Sequence, residues 1–176
     1  MTKTILPNAA SILTFVITFC WLCTGTLCVS APGNMPFTLG VRDSLMIAHS
    51  FHQHPSFGPA GKMHGATYTC DVEFQTDSLH PETNWVIDIG KASEIVSDVL
   101  KRYNLQNLDE VFPDKTMTTT EFMARQIHDD IQARLATDCA DFQGQVCVKL
   151  WESHKAWASY TGMRKISEFA CSDAMK

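Results

Sequence analysis

A strict alternation of apolar and polar side chains runs through residues 66–74, ATYTCDVEF. Apolar residues occupy every even position, and Thr, Asp or Glu occupies every odd position. A period of two residues is typical of a β-strand with one buried face and one exposed face. The chain must therefore form a sheet, and a second layer must cover the apolar face of that sheet.

A partner strand is predicted upstream, in FTLGVRDSLMIAH at residues 37–49, where it ends in a histidine. The residues between the two strands, 50–63, contain two prolines and two glycines without any hydrophobic period. They are therefore predicted to form a loop. The two strands pair naturally as antiparallel neighbours.

Two helices are predicted next, in KASEIVSDVLKRY at residues 91–103 and from TTTEF onward, because apolar residues recur there at helical spacing. Thr118 and Glu121 have the spacing of a capping box at the start of the second helix. VCVKLWES and AWASYTG then predict two closing strands. The predicted fold class is α+β, with a four-stranded antiparallel sheet and two helices on one face. Since the other face and the sheet edges need cover, we expect a homo-oligomer.

Composition and charge narrow the class of partner. The chain has 45% hydrophobic residues and a formal net charge of −5, and its 14 Lys and Arg are scattered. Binding to nucleic acid requires clustered basic residues, so we predict no nucleic-acid partner and expect a small-molecule ligand.

The first 34 residues are a separate segment. An apolar run at residues 9–29 has the pattern of a signal peptide or signal anchor, and a misassigned start upstream of Met35 explains it equally well. We place the domain at residues 35–165 and a C-terminal tail at residues 166–176. The four cysteines after the leader show no CxxC spacing. This favours a reduced, cytoplasmic domain, the alternative being a protein exported or membrane-anchored through residues 9–29.

Five segments carry a family resemblance: MIAHSF, KMHGATY, WVIDI, TTTEF and WESHKAWASY. In order and spacing they resemble the family of 6-pyruvoyltetrahydropterin synthase and 6-carboxytetrahydropterin synthase, over roughly residues 37 to 162. The resemblance implies the tunnelling fold, a ββααββ unit that assembles through its sheets into barrels, commonly as a hexamer of two trimers. It also implies a zinc-dependent lyase that eliminates a side-chain group from a dihydroneopterin triphosphate.

The resemblance assigns roles to five residues of this chain. His49 in IAHSF and His64 in MHGAT match zinc ligands. Thr119 and Thr120 match threonines that contact the pterin, and Glu152 of WES matches the residue that anchors the pterin ring. A carboxylate among largely apolar neighbours needs a partner, and a guanidine-like ring edge offers two donors to it.

Four positions depart from the family pattern. Ala66 stands where the third zinc-binding histidine is expected, and Ala60 stands at the position of the family's cysteine. The Asp-His pair of the family falls on Asn104 and Leu105. Without these residues the usual proton relay has no carrier.

Other histidines are candidates to replace the missing groups. His154 lies two residues beyond Glu152, so in an extended strand both side chains face the same way. We predict His154 as a stand-in acid/base or third metal ligand. His52 and His54 follow His49 in the loop, where an exposed polar role is the stronger interpretation for each.

Two functional hypotheses follow. The first is a divergent pterin synthase-like enzyme, a lyase acting on a pterin or related bicyclic heterocycle, with a zinc site weakened by Ala66. The second is a non-catalytic pterin-binding or structural oligomeric homologue.

Overall fold

The computed structural model describes residues 35–163. They form one five-stranded sheet in the order β3-β1-β2-β4-β5. The strands are β1 (Phe37–His49), β2 (His64–Thr76), β3 (Gln106–Asn107), β4 (Gln145–Trp151) and β5 (Trp157–Met163). Neighbours in β1, β2, β4 and β5 are antiparallel, whereas β3 runs parallel to β1.

Three helices complete the fold: α1 (Ile89–Lys101), α2 (Leu108–Val111) and α3 (Thr120–Asp138). Short 3₁₀ turns at Phe51–Gln53 and Pro55–Gly61 occupy the loop between β1 and β2. The helix α1 begins after Asp88, whose carboxylate accepts a hydrogen bond from the Lys91 amide at 2.8 Å. This N-cap satisfies a backbone donor that the first turn leaves without an intrahelical partner.

The core lies between one face of the sheet and the helices α1 and α3. Alternate residues of β2 and β4 face this core, together with one apolar stripe from each helix. Fully buried members include Tyr68, Cys70, Val72, Phe74, Ile95, Val96, Met123, Ile127, Ile131, Leu135, Val146, Val148 and Leu150. Burial raises the pKa of the Cys70 thiol to about 12, so this cysteine acts as a small apolar residue.

The register of β1 against β2 brings two histidines together at one end of the sheet. The two strands pair over 13 residues each, and the last pair opposes His49 and His64. Both strands direct alternate side chains to the core, so the two imidazoles reach the same face at the same end of the sheet.

The predicted α+β fold, an antiparallel sheet with two long helices between its second and third long strands in the chain, is confirmed. The strand β1 also has the predicted bounds. The predicted number of strands is wrong. The fifth strand, β3, has two residues and pairs with Ile47 and Ala48, so it is too short to produce any hydrophobic period.

The predicted capping box at Thr118 is also wrong by one residue. The hydroxyl of Thr119 accepts a hydrogen bond from the Phe122 amide at 3.3 Å, and α3 begins at Thr120. Thr118 is drawn away from the cap because its oxygens contact the His49 ring.

The leader at residues 1–34, with its apolar run at 9–29, and the tail at 166–176 lie outside the described residues. Within residues 35–163, no helix is long and apolar enough to cross a membrane.

The packing predicts a clear contrast between two isoleucines on the helices. Ile131 is fully buried on α3, whereas Ile89 on α1 is 61% exposed. We expect Ile131→Ala to lower the free energy of unfolding by about 2–5 kcal/mol, because it leaves a cavity in the core. Ile89→Ala should change it by less than about 1 kcal/mol. Urea denaturation measures both, and equal losses would contradict the assigned core.

Candidate functional site

Two histidines face each other at the end of the β1–β2 pair. The Nε2 atoms of His49 and His64 lie 3.1 Å apart, and the ring centroids are separated by 4.6 Å. His49 is 1% exposed, whereas His64 is half-buried and borders solvent. The pair therefore forms one face of a site that is open on the His64 side.

The opposite edges of both rings are held by backbone carbonyls. The Nδ1 atom of His49 lies 3.1 Å from the Thr118 carbonyl oxygen, and Nδ1 of His64 lies 2.8 Å from the Lys62 carbonyl oxygen. A carbonyl only accepts, so both Nδ1 atoms must donate. In neutral rings each Nε2 then carries a lone pair directed at the other. Two lone pairs this close repel each other, and a proton or a metal ion between them would relieve that repulsion.

The surroundings of His49 shift its pKa in opposite directions. Burial lowers the pKa of His49, and the neighbouring His64 lowers it further. The contact with the Thr118 carbonyl and the carboxylates of Asp109 and Glu152 raise the pKa in part. The net result is a pKa below the usual 6.5, so the neutral ring is favoured even with two carboxylates nearby.

Asp109 is itself tied to the end of β1. One carboxylate oxygen, Oδ2, accepts hydrogen bonds from the Ser50 amide at 3.0 Å and the Ser50 hydroxyl at 2.5 Å. The other, Oδ1, is buried and makes no hydrogen bond to any residue in the described range 35–163. This unpaired oxygen leaves negative charge beside His49, which favours a cation between the two imidazoles.

Three consecutive threonines at the start of α3, residues 118–120, each have a different partner. Thr118 contacts His49 through its carbonyl and hydroxyl oxygens, both at 3.1 Å from Nδ1. Thr119 caps α3. Thr120 donates a hydrogen bond from its hydroxyl to Oε2 of Glu152 at 2.8 Å. Consecutive residues therefore link the His49–His64 pair to the carboxylate of Glu152.

Tyr68 lies beneath this segment on β2. Its side chain is fully buried, and burial raises its pKa to about 12. Thr120 and Glu152 also influence this pKa, so the phenol lies close to the carboxylate end of the site. Since it stays protonated, the Tyr68 hydroxyl serves as a neutral group there.

The loop after β1 holds a strained turn against His49. Phe51, His52 and Gln53 all have positive φ values, of 48°, 50° and 59°, a region that residues other than glycine rarely adopt. The Phe51 ring packs against His49, with centroids 4.2 Å apart, and stacks on Phe57 at 4.1 Å. The apolar packing holds the turn in place and covers one side of the His49 ring.

The other loop histidines do not join the pair. His54 accepts a hydrogen bond from the Ser56 amide at 3.3 Å, and Nε2 of His52 is buried without a hydrogen-bond partner. Within residues 35–163, neither ring makes a hydrogen bond or a ring contact with His49 or His64.

His154 and Glu152 lie on opposite faces of the sheet. The strand β4 ends at Trp151, and the chain then bends, so the extended geometry behind the sequence prediction is absent. Glu152 turns toward Thr120, whereas His154 lines a cleft with Arg42 and Trp151 on the face without helices. The expected common direction of the two side chains is wrong, and a catalytic or metal-binding role for His154 stays a prediction.

The imidazoles of His49 and His64 supply part of the ligand set that zinc requires. Zinc-bound imidazole nitrogens lie about 3.4 Å apart at a tetrahedral angle, close to the 3.1 Å between the Nε2 atoms of His49 and His64. In the part of the chain that the structure describes, however, no three His, Cys, Asp or Glu side chains converge on one point. A catalytic zinc site has about three protein ligands, so these residues fit two ligands and do not complete the site.

The departures from the family pattern have structural explanations. Ala66 lies on the same face of β2 as His64 and leaves that position without a donor. Asn104 accepts a hydrogen bond from the Met46 amide at 2.9 Å. Leu105 is 70% exposed with a φ of 61°. These side chains support a turn beside β1 and cannot exchange protons at neutral pH.

Two site residues escaped the sequence analysis. Thr118 was assigned to a helix cap, and Asp109 carried no motif. The one feature of the sequence that singles out Asp109 is its position beside Leu108, which is fully buried at the start of α2.

Comparison with known proteins agrees with this arrangement. A family model for 6-pyruvoyl tetrahydropterin synthase matches residues 38–163. The chain belongs to this family. No curated protein sequence matches the chain significantly.

Solved structures of the 6-pyruvoyl tetrahydropterin synthase family show the same fold. The Caenorhabditis elegans enzyme is 23% identical, with a TM-score of 0.62 over 72% of this chain and 95% of that one. The Plasmodium falciparum enzyme is 12% identical, with a TM-score of 0.57 over 72% of this chain and 98% of that one. The Plasmodium vivax enzyme is 14% identical, with a TM-score of 0.57 over the same shares. At these identities the likeness establishes the fold.

The lowered pKa of His49 predicts a specific loss of stability in acid. The unfolded chain protonates His49 below about pH 6.5, whereas the folded state resists the proton until a lower pH. Stability from this group is therefore complete above pH 6.5 and is lost as the pH falls toward the folded-state pKa. Urea midpoints measured from pH 8 to pH 5 should fall more steeply for the wild type than for His49→Gln.

The exposed His154 provides the control. His154→Gln should retain the wild-type pH dependence, because this substitution leaves His49 and its surroundings unchanged. Parallel pH profiles for the wild type and His49→Gln would show that His49 titrates alike in both states.

Proposed function

We propose that this chain is a divergent pterin synthase-like protein. It binds a pterin or a related bicyclic heterocycle through Glu152 and acts on it as a lyase-type enzyme at the His49–His64 pair. The observation that carries the proposal is the run of residues 118–120, which joins His49 at one end to Glu152 at the other. Membership of the 6-pyruvoyl tetrahydropterin synthase family supports the choice of ligand.

Glu152 suits the recognition of an aminopyrimidine edge. It is exposed, and the Thr120 hydroxyl occupies one lone pair of Oε2. The remaining lone pairs of the carboxylate accept the two parallel N–H groups of a pterin ring, a charge-assisted and bidentate arrangement. The hydrogen bond from Thr120 orients the carboxylate before the ligand arrives.

Thr119 also has a role in the helix, and its contact with the pterin stays a prediction. Its hydroxyl caps α3. We therefore propose that Glu152 contacts the ligand directly and that Thr120 orients Glu152. Thr119 stabilises the start of α3, the helix that carries Thr120.

The His49–His64 pair suits proton abstraction. In an elimination, a base takes a proton from carbon, the C–H electron pair forms the new double bond, and the leaving group departs with its own bonding pair. The half-buried His64 accepts the proton on Nε2, and His49 then shares it across the 3.1 Å separation. The buried oxygen of Asp109 favours the resulting positive charge.

Zinc, the cofactor implied by the family resemblance, would take ligands from His49 and His64. The described residues of one chain leave the third protein ligand unfilled, so metal binding needs a ligand from another source.

A non-catalytic pterin-binding role is the second candidate. It is favoured by Ala66, Asn104 and Leu105, which replace family residues with side chains that neither bind metal nor transfer protons. In this case Glu152 would bind the ring without turnover.

The edges of the sheet support a homo-oligomer, either a hexamer or another assembly of trimers. β5 forms one edge, and β3 covers only Ile47 and Ala48 on the outer side of β1. Among the strands of residues 35–163, most of β1 therefore has no partner on that side. Such edges pair readily with another copy of the chain.

The role of Glu152 predicts a large effect of removing one charge. Glu152→Gln should weaken neopterin binding by about tenfold or more, because a bond to a charged acceptor is lost. Glu94→Gln makes the same change on the exposed side of α1 and should leave affinity unchanged. Fluorescence titration with neopterin measures both variants, and equal affinities for all three proteins would refute the assignment.

Turnover separates the two candidate functions. Incubation with dihydroneopterin triphosphate followed by chromatography should show loss of the substrate's phosphate-bearing group with the wild type and not with His64→Gln. Neopterin binding by a wild-type protein that leaves this substrate intact would establish the non-catalytic alternative.

A further inference from the structure

A cleft of about 440 Å³ lies on the face of the sheet opposite the described helices α1 and α3. Six residues line it: Arg42, Thr67, Thr69, Trp151, Ser153 and His154. None of them belongs to the His49–His64 pair or contacts Glu152 through a hydrogen bond. The cleft is thus separate from the proposed pterin site.

Arg42 is held in place and still has free donors. Its Nε and one terminal nitrogen donate to the two oxygens of Asp71, at 2.5 and 2.9 Å. The indole of Trp151 donates to the same carboxylate at 2.8 Å. The remaining terminal nitrogen of Arg42 makes no hydrogen bond within residues 35–163, and the Arg42 side chain is 68% exposed. The guanidinium is therefore oriented with donors to spare.

Hydroxyl groups add further donors around Arg42. Thr67 and Thr69 project from the same side of β2, and in the described structure their hydroxyls have no hydrogen-bond partner. The Ser153 oxygen accepts from the amides of Lys155 and Ala156, at 3.2 Å each, so its own O–H stays available. Three hydroxyls thus supplement the guanidinium.

The charge of this surface differs from that of the chain. The formal net charge is −5, yet Arg42 and His154 line the cleft, and the Asp71 carboxylate next to them is bound to Arg42 and Trp151. Beside the cleft, the Lys149 ammonium lies 4.2 Å from the centroid of Trp151 and 4.0 Å from that of Trp157. Arg42, Lys149 and several hydroxyl donors outnumber the single carboxylate of Asp71, which is already bound to Arg42, and so favour a negatively charged ligand.

We propose that this cleft binds an oxyanion, a phosphate or a carboxylate group of a small molecule. Arg42 pairs with the negative charge, and the hydroxyls of Thr67, Thr69 and Ser153 donate to its oxygens. Asp71 orients Arg42 and at the same time competes with the ligand for it. The proposal is independent of the pterin site.

The competition by Asp71 gives a test with opposite signs. Inorganic phosphate and acetate are titrated into the full chain by calorimetry, and the tighter ligand identifies the class of oxyanion. Arg42→Ala should weaken binding by about tenfold or more, because a charge-assisted contact is lost. Asp71→Asn should tighten it several-fold by releasing the guanidinium.

Arg102→Ala is the matched control. Arg102 is similarly exposed, at 62%, and also pairs with an aspartate, Asp130, at 3.1 Å. This variant should bind the oxyanion like the wild type, and Glu152→Gln should do so too, which separates this proposal from the pterin site. Failure of both ions to saturate the wild type would overturn the proposal, as would weaker binding by Asp71→Asn or equal losses in Arg42→Ala and Arg102→Ala.

Discussion

The contact between the start of α3 and the end of β1 organises the whole candidate site. Thr118 holds the buried ring of His49 through its carbonyl oxygen, and the next residue, Thr119, caps the helix. Thr120 then reaches Glu152 beyond the end of β4. A helix, the end of a central strand and the turn after another strand are thereby joined by three consecutive residues. Any shift of α3 along the sheet would separate the imidazole pair from the carboxylate, so packing of the helix and geometry of the site are coupled.

The second constraint is the strand register. Because His49 and His64 are cross-strand partners on the core side of the sheet, their rings contact each other without help from a ligand. Carbonyl oxygens on the outer edges of both rings leave the lone pairs of the facing nitrogens directed at each other, which favours a cation between them. The buried, unpaired oxygen of Asp109 supplies nearby negative charge. The arrangement suits proton transfer even with Ala66 in place of a third ligand, since only one proton is needed between two nitrogens 3.1 Å apart.

Much of the fold could be predicted from local patterns. The alternation in β2 and the apolar stripe of α3 each reflect one buried face, which periodicity reveals. The two-residue β3 and the bend after Trp151 depend on tertiary contacts and leave no period. The same limit applies to the site. His64 and Glu152 could be proposed from the motifs around them, but the separation of Glu152 from His154 follows from a turn that sequence spacing cannot show.

Elemental analysis of the purified chain tests the account of the imidazole pair most directly. Zinc should be removed readily by dialysis against a mild chelator, because His49 and His64 provide two protein ligands and a catalytic site has about three. His64→Ala should abolish the residual binding. One tightly held zinc per chain that survives both dialysis and the substitution of His64 would contradict the account, because the metal would then lie elsewhere.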